Sequence, residues 1–182
     1  MSELSSIDLI CGIFCKSAKS VLERNTKRDI TFSPTIQDIP KVSLKPAIGS
    51  FVQFTGDYNG LAVFNFSADA AMLLYKSYMM GMGLPENELS KEYTSDEVPN
   101  TIGEMTNQIM GQAMSLIEEK YELNSYCGQP KALSLNSALT LSIDSDYREN
   151  RRIVFHIDNF SFQMEVALET IKFISIASVL GK

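Results

Sequence analysis

The chain has 182 residues, 45% of them hydrophobic, which is enough for one compact domain (1–182) with a sizeable core. Its formal net charge of −6 argues against DNA or RNA as the main ligand, because either would need a basic patch. No apolar run approaches the roughly 20 residues of a membrane span, and residues 1–22 carry Asp8 and no basic leader, which excludes a signal peptide.

Residues 7–23 read as a helix, because Ile7, Ile10, Phe14, Ala18, Val21 and Leu22 recur at helical spacing and Ser5 or Ser6 can cap its start. Within it Cys11 and Cys15 lie one turn apart. They read either as a metal-chelating pair or as small buried hydrophobes, and no histidine or second cysteine pair completes a site. The odd total of three cysteines favours reduced thiols and a cytoplasmic location. Residues 25–41 are polar and interrupted by Pro34 and Pro40, so a loop is predicted there, leading to a short strand at 42–44. Residues 50–66 form a predicted β-hairpin around Gly56-Asp57-Tyr58-Asn59-Gly60. Ser67 caps a second helix, 68–80, which Gly81 and Gly83 end. Its cluster of Met72, Met79, Met80 and Met82 suits either core filling or a binding groove.

Residues 84–96 are a polar, acidic connection to a long helix at 97–121, and 124–130 break the pattern. Strands are predicted at 132–143, 152–158 and 161–168. The last alternates clearly, with Phe160, Phe162, Met164, Val166 and Leu168 on one face and Ser161, Gln163 and Glu165 on the other. If this regular strand were a free edge it would need protection, and pairing with a second copy is one remedy. The type of the apolar tail, 169–182, is left open. Helix 7–23 with the strands up to 66 and helix 97–121 with the strands up to 168 follow a similar order, which points to a duplication. The predicted architecture is α+β, with a mainly antiparallel sheet and long helices on one face.

Helix 97–121 carries the candidate chemistry. Val98, Ile102, Met105, Ile109, Ala113 and Leu116 make its core stripe, and Glu97, Asn100, Glu104, Asn107, Gln108, Gly111 and Ser115 lie opposite. That polar face has no Lys or Arg, and Gly111 costs on the order of 1 kcal/mol relative to Ala. Either a partner's backbone approaches closely there or the glycine serves a packing contact inside the domain. Glu-x-x-Asn alone carries little weight, since about one match is expected by chance. A second copy at Glu97-Val98-Pro99-Asn100 contains Pro99, which suits a helix start. His156 is the lone histidine, so a Ser/His triad or a His-rich metal site is disfavoured.

The spacing Glu104, two residues, Asn107, twenty-two residues, Pro130 resembles the signature of the CheC/CheX family of response-regulator phosphatases. Gly103, Gly111 and the 56–61 hairpin resemble that family too. Position 100 departs from it, with Asn where the family has Asp or Ser. The first helix has no Glu-x-x-Asn, and one site per chain resembles CheX more than CheC. The resemblance implies a pseudo-duplicated fold and, as partner, the phosphorylated receiver domain of a CheY-like response regulator. It implies that Asn107 orients a water toward the phosphorus, that Glu104 pairs with the receiver's lysine, and that Mg²⁺ belongs to the receiver, with no cofactor of the chain's own. Asn100, Gln108 and Gly111 would be partner-docking residues, and a homodimer is expected. An amide suits this chemistry, because phosphoryl transfer needs positioning more than strong base catalysis. The alternative is a non-catalytic module of the same fold, docking on a receiver or flagellar-switch partner. A metabolic enzyme has no cofactor motif to support it.

Overall fold

The computed structural model describes residues 5–141 and 147–169. Helix α1 (Ser6–Thr26) starts at a capping box in which the Ser5 hydroxyl accepts from the Asp8 backbone N–H and the Ser5 N–H donates to the Asp8 carboxylate. It ends at Lys27 in the left-handed region. The chain continues through β1 (Ile30–Phe32), β2 (Gln37–Asp38), β3 (Ser43–Leu44), β4 (Ile48–Gly56), β5 (Gly60–Phe66), α2 (Ala68–Gly81), a single 3-10 turn (Glu86–Glu88) and α3 (Glu97–Tyr121). Strands β6 (Ser125–Cys127), β7 (Lys131–Ser134), β8 (Leu139–Thr140), β9 (Tyr147–Ile157) and β10 (Phe160–Glu169) follow. At the hairpin between β4 and β5 only glycine fits position 60: a Cβ there would lie 2.4 Å from the Phe54 ring and 2.5 Å from the Ala167 carbonyl oxygen.

The main sheet is antiparallel and runs β1-β9-β10-β5-β4-β6, with β2 also on β9 and β7 also on β4. The duplication is visible in this order. Exchange β1 with β6, β2 with β7, β4 with β9 and β5 with β10, and the order reads the same backwards. Each half lends its short strands to the other half's long one, and β5 and β10 pair with each other at the centre. Likewise β3 pairs with its counterpart β8 as a separate two-stranded ribbon. Helix α2 is the insertion that breaks the symmetry.

One face of the sheet packs against α1, α2 and α3 in the main core. Phe66, Phe162 and Phe155 stand directly opposite one another on β5, β10 and β9, and their rings stack at centroid distances of 4.9 Å on each side of Phe162. On the opposite face Val42, Leu44, Leu61, Val63, Leu135 and Ala167 form a smaller cluster under the β3–β8 ribbon. Cys11 and Cys15 lie in the main core, where burial pushes both thiols up, Cys15 to about 12. They are neutral and packed as small hydrophobes. Met72 and Met79 pack on the core, whereas Met80 and Met82 are exposed.

Several expectations are corrected. The predicted loop at 25–41 contains β1 and β2, and the break at 124–130 contains β6. These strands have two or three residues, too few for a period-2 pattern to register, and their pairing partners are far away in sequence. The single strand predicted at 132–143 is two, β7 and β8, with residues 142–143 outside the described part. The tail beyond Glu169 also lies outside it. Strand β10 is central, between β9 and β5, so it is no edge needing a second copy. The margins are made of the short, interrupted strands β1, β2, β6 and β7, a form of edge that templates pairing poorly.

Glu165, on the polar side of the alternation in β10, is fully buried. The reason is tertiary: the segment carrying β3 lies over it. Its carboxylate accepts from Lys45 Nζ at 2.6 Å, from Arg152 Nε at 2.9 Å and from the Ser43 backbone N–H at 2.9 Å. Removing one member of a buried pair strands its partners. Here both cations are partly solvated, which softens the loss. Glu165→Ala is expected to cost about 2–3 kcal/mol of stability in a urea melt, against about 1 kcal/mol or less for Glu169→Ala at the half-buried end of the same strand, whose carboxylate accepts from Asn59 Nδ2 at 2.8 Å.

Candidate functional site

Helix α3 buries Val98, Ile102, Met105, Ile109, Ala113 and Ile117, while Leu116 is only partly buried. Thr101, Thr106 and Met110 are buried as well, so the covered face is wider than the apolar stripe alone. Glu97, Asn100, Glu104, Asn107, Gly111 and Ser115 are exposed and Gln108 is half-buried. Pro99 falls in the first turn, where a missing N–H costs no intrahelical bond. The start of α3 is tied down from α2: the buried Tyr75 hydroxyl donates to the Glu97 carboxylate and accepts from the Ser90 N–H at 3.0 Å. Burial and that bond to Glu97 push the Tyr75 hydroxyl up from its ordinary value, so the tyrosine keeps its proton.

Glu104 and Asn107, one turn apart, line an open cleft of about 240 Å³ together with Pro99, Asn100, Gly103, Gln129, Pro130 and Ala132. Glu104 is the only charged residue among these. The far wall is the segment entering β7. It is laid along β4 by the Gly128 N–H donating to the Gln53 carbonyl at 2.9 Å, and by the ladder pairs Lys131 with Phe51 and Ala132 with Ser50. This brings Pro130 back across the helix from Asn107. Ser50 joins both walls. Its backbone pairs with Ala132, while its buried hydroxyl lies 2.9 Å from the Thr106 hydroxyl, which donates to the Ile102 carbonyl at 2.8 Å. Thr106 stands between Glu104 and Asn107, so this contact sets how far α3 is rotated toward the cleft.

Asn107 makes no side-chain hydrogen bond among the described residues, and its amide faces solvent from an exposed position. A Cβ at Gly111 would meet nothing within 4 Å, so no packing contact among the described residues requires glycine there. Gln108 is engaged inside the protein. Its Nε2 donates to Glu104 Oε1 at 3.0 Å and its Oε1 accepts from Asn25 Nδ2 at 2.8 Å. His156 is exposed on β9, away from this cleft.

The chain belongs to the DUF3334 family. The family, described as "protein of unknown function", is matched over residues 2–180. No curated protein matches the sequence. Solved structures show the fold. A chemotaxis protein CheX from Desulfovibrio desulfuricans superposes with a TM-score of 0.74 at 19% identity, covering 88% of this chain and 99% of that one. A chain of the CheX–CheY–BeF3–Mg²⁺ complex from Borrelia burgdorferi gives 0.63 at 16% identity, covering 88% and 97%. Thermotoga maritima FliY gives 0.63 at 20%, covering 91% and 92%. This DUF3334 chain thus has the CheX/CheC fold, with the pseudo-duplicated antiparallel sheet and helices on one face. Among its described residues no helix is long and apolar enough to cross a membrane.

Three contributors to the site were invisible in the motif. Asn25 stands at the end of α1, 83 positions before Gln108. Ser50 sits in the first arm of the hairpin, and Gln129 stands beside Pro130. Thr106 was in view as the residue inside Glu104-Met105-Thr106-Asn107; a hydroxyl at a position due to be buried was the available signal. Thr106→Val leaves the buried Ser50 hydroxyl without its partner and is expected to cost about 1–3 kcal/mol. Ser50→Ala leaves Thr106 bonded to Ile102 and is expected to cost about 1 kcal/mol or less. Denaturant melts of both single variants and the double variant check the pair: the two losses should not add.

Proposed function

We propose that this chain is a phosphatase for the aspartyl phosphate of a CheY-like response regulator, acting in the cytoplasm. The observation that carries the reading is the pair Glu104 and Asn107. They are exposed on one turn of α3 in an open cleft faced by Pro130, on a fold shared with CheX and with a chain from the CheX–CheY complex. Hydrolysis adds water at phosphorus and breaks the bond between phosphorus and the carboxylate oxygen. It restores the aspartate and releases inorganic phosphate, which carries away the water's proton. The receiver supplies Mg²⁺ and the phosphoryl group. Asn107, with its amide unengaged among the described residues, accepts from the water and holds it in line. Glu104 pairs with the receiver's active-site lysine. Asn100 and Gly111 lie on the docking face, where an open glycine lets a partner's backbone come close. Such catalysis is mostly positioning, which an amide can do without acting as a base.

The second reading, a docking module without catalysis, is favoured by Asn100, which stands beside the motif where the CheC/CheX pattern has Asp or Ser. A symmetric homodimer belongs to the first reading through the resemblance to CheX alone, since β10 lies at the centre of the sheet. Light scattering at micromolar concentration tests it, and a monomeric mass rejects it.

Phosphate release from a phosphorylated receiver of the same organism separates the two readings. Asn107→Ala should slow it about a hundredfold or more while leaving receiver binding nearly unchanged, because a water-positioning contact acts in the transition state. Glu104→Ala should weaken binding about tenfold as well as slow the reaction, because its ion pair forms before chemistry. Wild-type chain that binds the phosphorylated receiver without hastening its decay would establish the docking module instead.

A further inference from the structure

Glu104 is held from within the protein. Its Oε1 accepts from Gln108 Nε2 at 3.0 Å, and Gln108 Oε1 accepts from Asn25 Nδ2 at 2.8 Å. The chain of bonds has one polarity, and the carboxylate imposes it. An ionised carboxylate only accepts, so Gln108 must turn its NH2 toward Glu104. Its carbonyl oxygen then faces α1, and only a donor there can satisfy it. Asn25 supplies that donor from the last turn of α1, where Thr26 Oγ1 bonds back to the Leu22 carbonyl at 2.7 Å. A Cβ at Gly81, the last residue of α2, would lie 3.4 Å from the Asn25 carbonyl oxygen, so the ends of two helices meet at this point. Among the described residues Glu104 Oε2 has no hydrogen bond.

An unrestrained glutamate on a helix surface samples several rotamers, and fixing them on binding costs conformational entropy. A carboxylate already held at one oxygen by a half-buried amide loses less when a cation meets the other oxygen. We propose that Gln108, backed by Asn25, is a positioning residue that holds the Glu104 carboxylate ready for the partner's ammonium group. Gln108 thereby acts from within the chain and not as a docking contact. The inference rests on the functional reading above, because it takes Glu104 to be the residue that meets the receiver's lysine.

The test is a double-mutant cycle on Gln108 and Glu104, with a receiver loaded with Mg²⁺ and BeF3⁻ for binding and with phosphorylated receiver for turnover. Gln108→Met keeps the length and flexibility of the side chain and removes the amide. It should raise the receiver Kd and the KM about three- to tenfold with kcat within about twofold, because the ion pair forms on binding. Asn25→Leu, which does not touch Glu104, should raise them about two- to threefold through the same route. In a Glu104→Ala background Gln108→Met should have no further effect. Additive losses, or a Gln108→Met effect confined to kcat, overturn the inference while leaving the phosphatase reading intact. A wild-type chain that neither binds the receiver nor speeds its decay overturns both. If Gln108→Met lowers the melting temperature, the Asn25→Leu cycle with Glu104→Ala decides the question in its place.

Discussion

The fold depends on the exchange of strands between its two halves across the β5–β10 pair. Neither half has a complete sheet of its own. Strand β9 is completed by β1 and β2, β4 by β6 and β7, and among the described strands of the main sheet the two sets meet where β5 and β10 run side by side. That central pair is covered on both faces, by three helices and a stack of phenyl rings on one side and by the β3–β8 ribbon on the other. Burial on both faces accounts for the fully buried Glu165 with its two basic partners: a carboxylate in that position needs charged and backbone donors to stay there.

The same exchange builds the cleft. Helix α3 opens the second half, yet it packs on β4 of the first half, and the segment that faces it across the cleft is the one that completes β4. The two walls therefore share a foundation, and Ser50 belongs to both, through its backbone on one side and its hydroxyl on the other. Glu104 is linked in turn, through Gln108, to Asn25 at the end of the first half's helix. A site of short polar side chains on rigid elements suits chemistry in which the protein aligns a water and meets a charge. The reacting groups and the metal come with the partner.

The halves have also diverged in a telling way. Helix α1, the counterpart of α3, carries Cys11, Cys15 and Ser17 buried in the core and offers no Glu-x-x-Asn. Helix α2, which has no counterpart, brings Tyr75 against Glu97 and so secures the start of α3. Tyr75 thus anchors the helix whose outer face exposes Asn100, Asn107 and Ser115.

Much of this was legible in the amino-acid sequence because it is local. The 25-residue α3, the hairpin around Gly56-Asp57-Tyr58-Asn59-Gly60 and the alternation of β10 are written in periods of 3.6 and 2 and in turn residues, which neighbouring positions set. The exposed face of α3 with Glu104 and Asn107 followed from the same wheel. Only the tertiary structure decided what depends on distant segments. Strands β1, β2 and β6, of two or three residues, exist because β9 and β4 offer them partners, and they have no pattern of their own. The placement of β10 at the centre and the burial of Glu165 depend on which strand lies beside or above them. Asn25 and Ser50 reach the site across 83 and 56 positions of chain, and no spacing rule joins residues so far apart. Helix periodicity tells which side of α3 faces outward. What stands across from that side is settled by strand pairing, which a single sequence does not encode in any local signal.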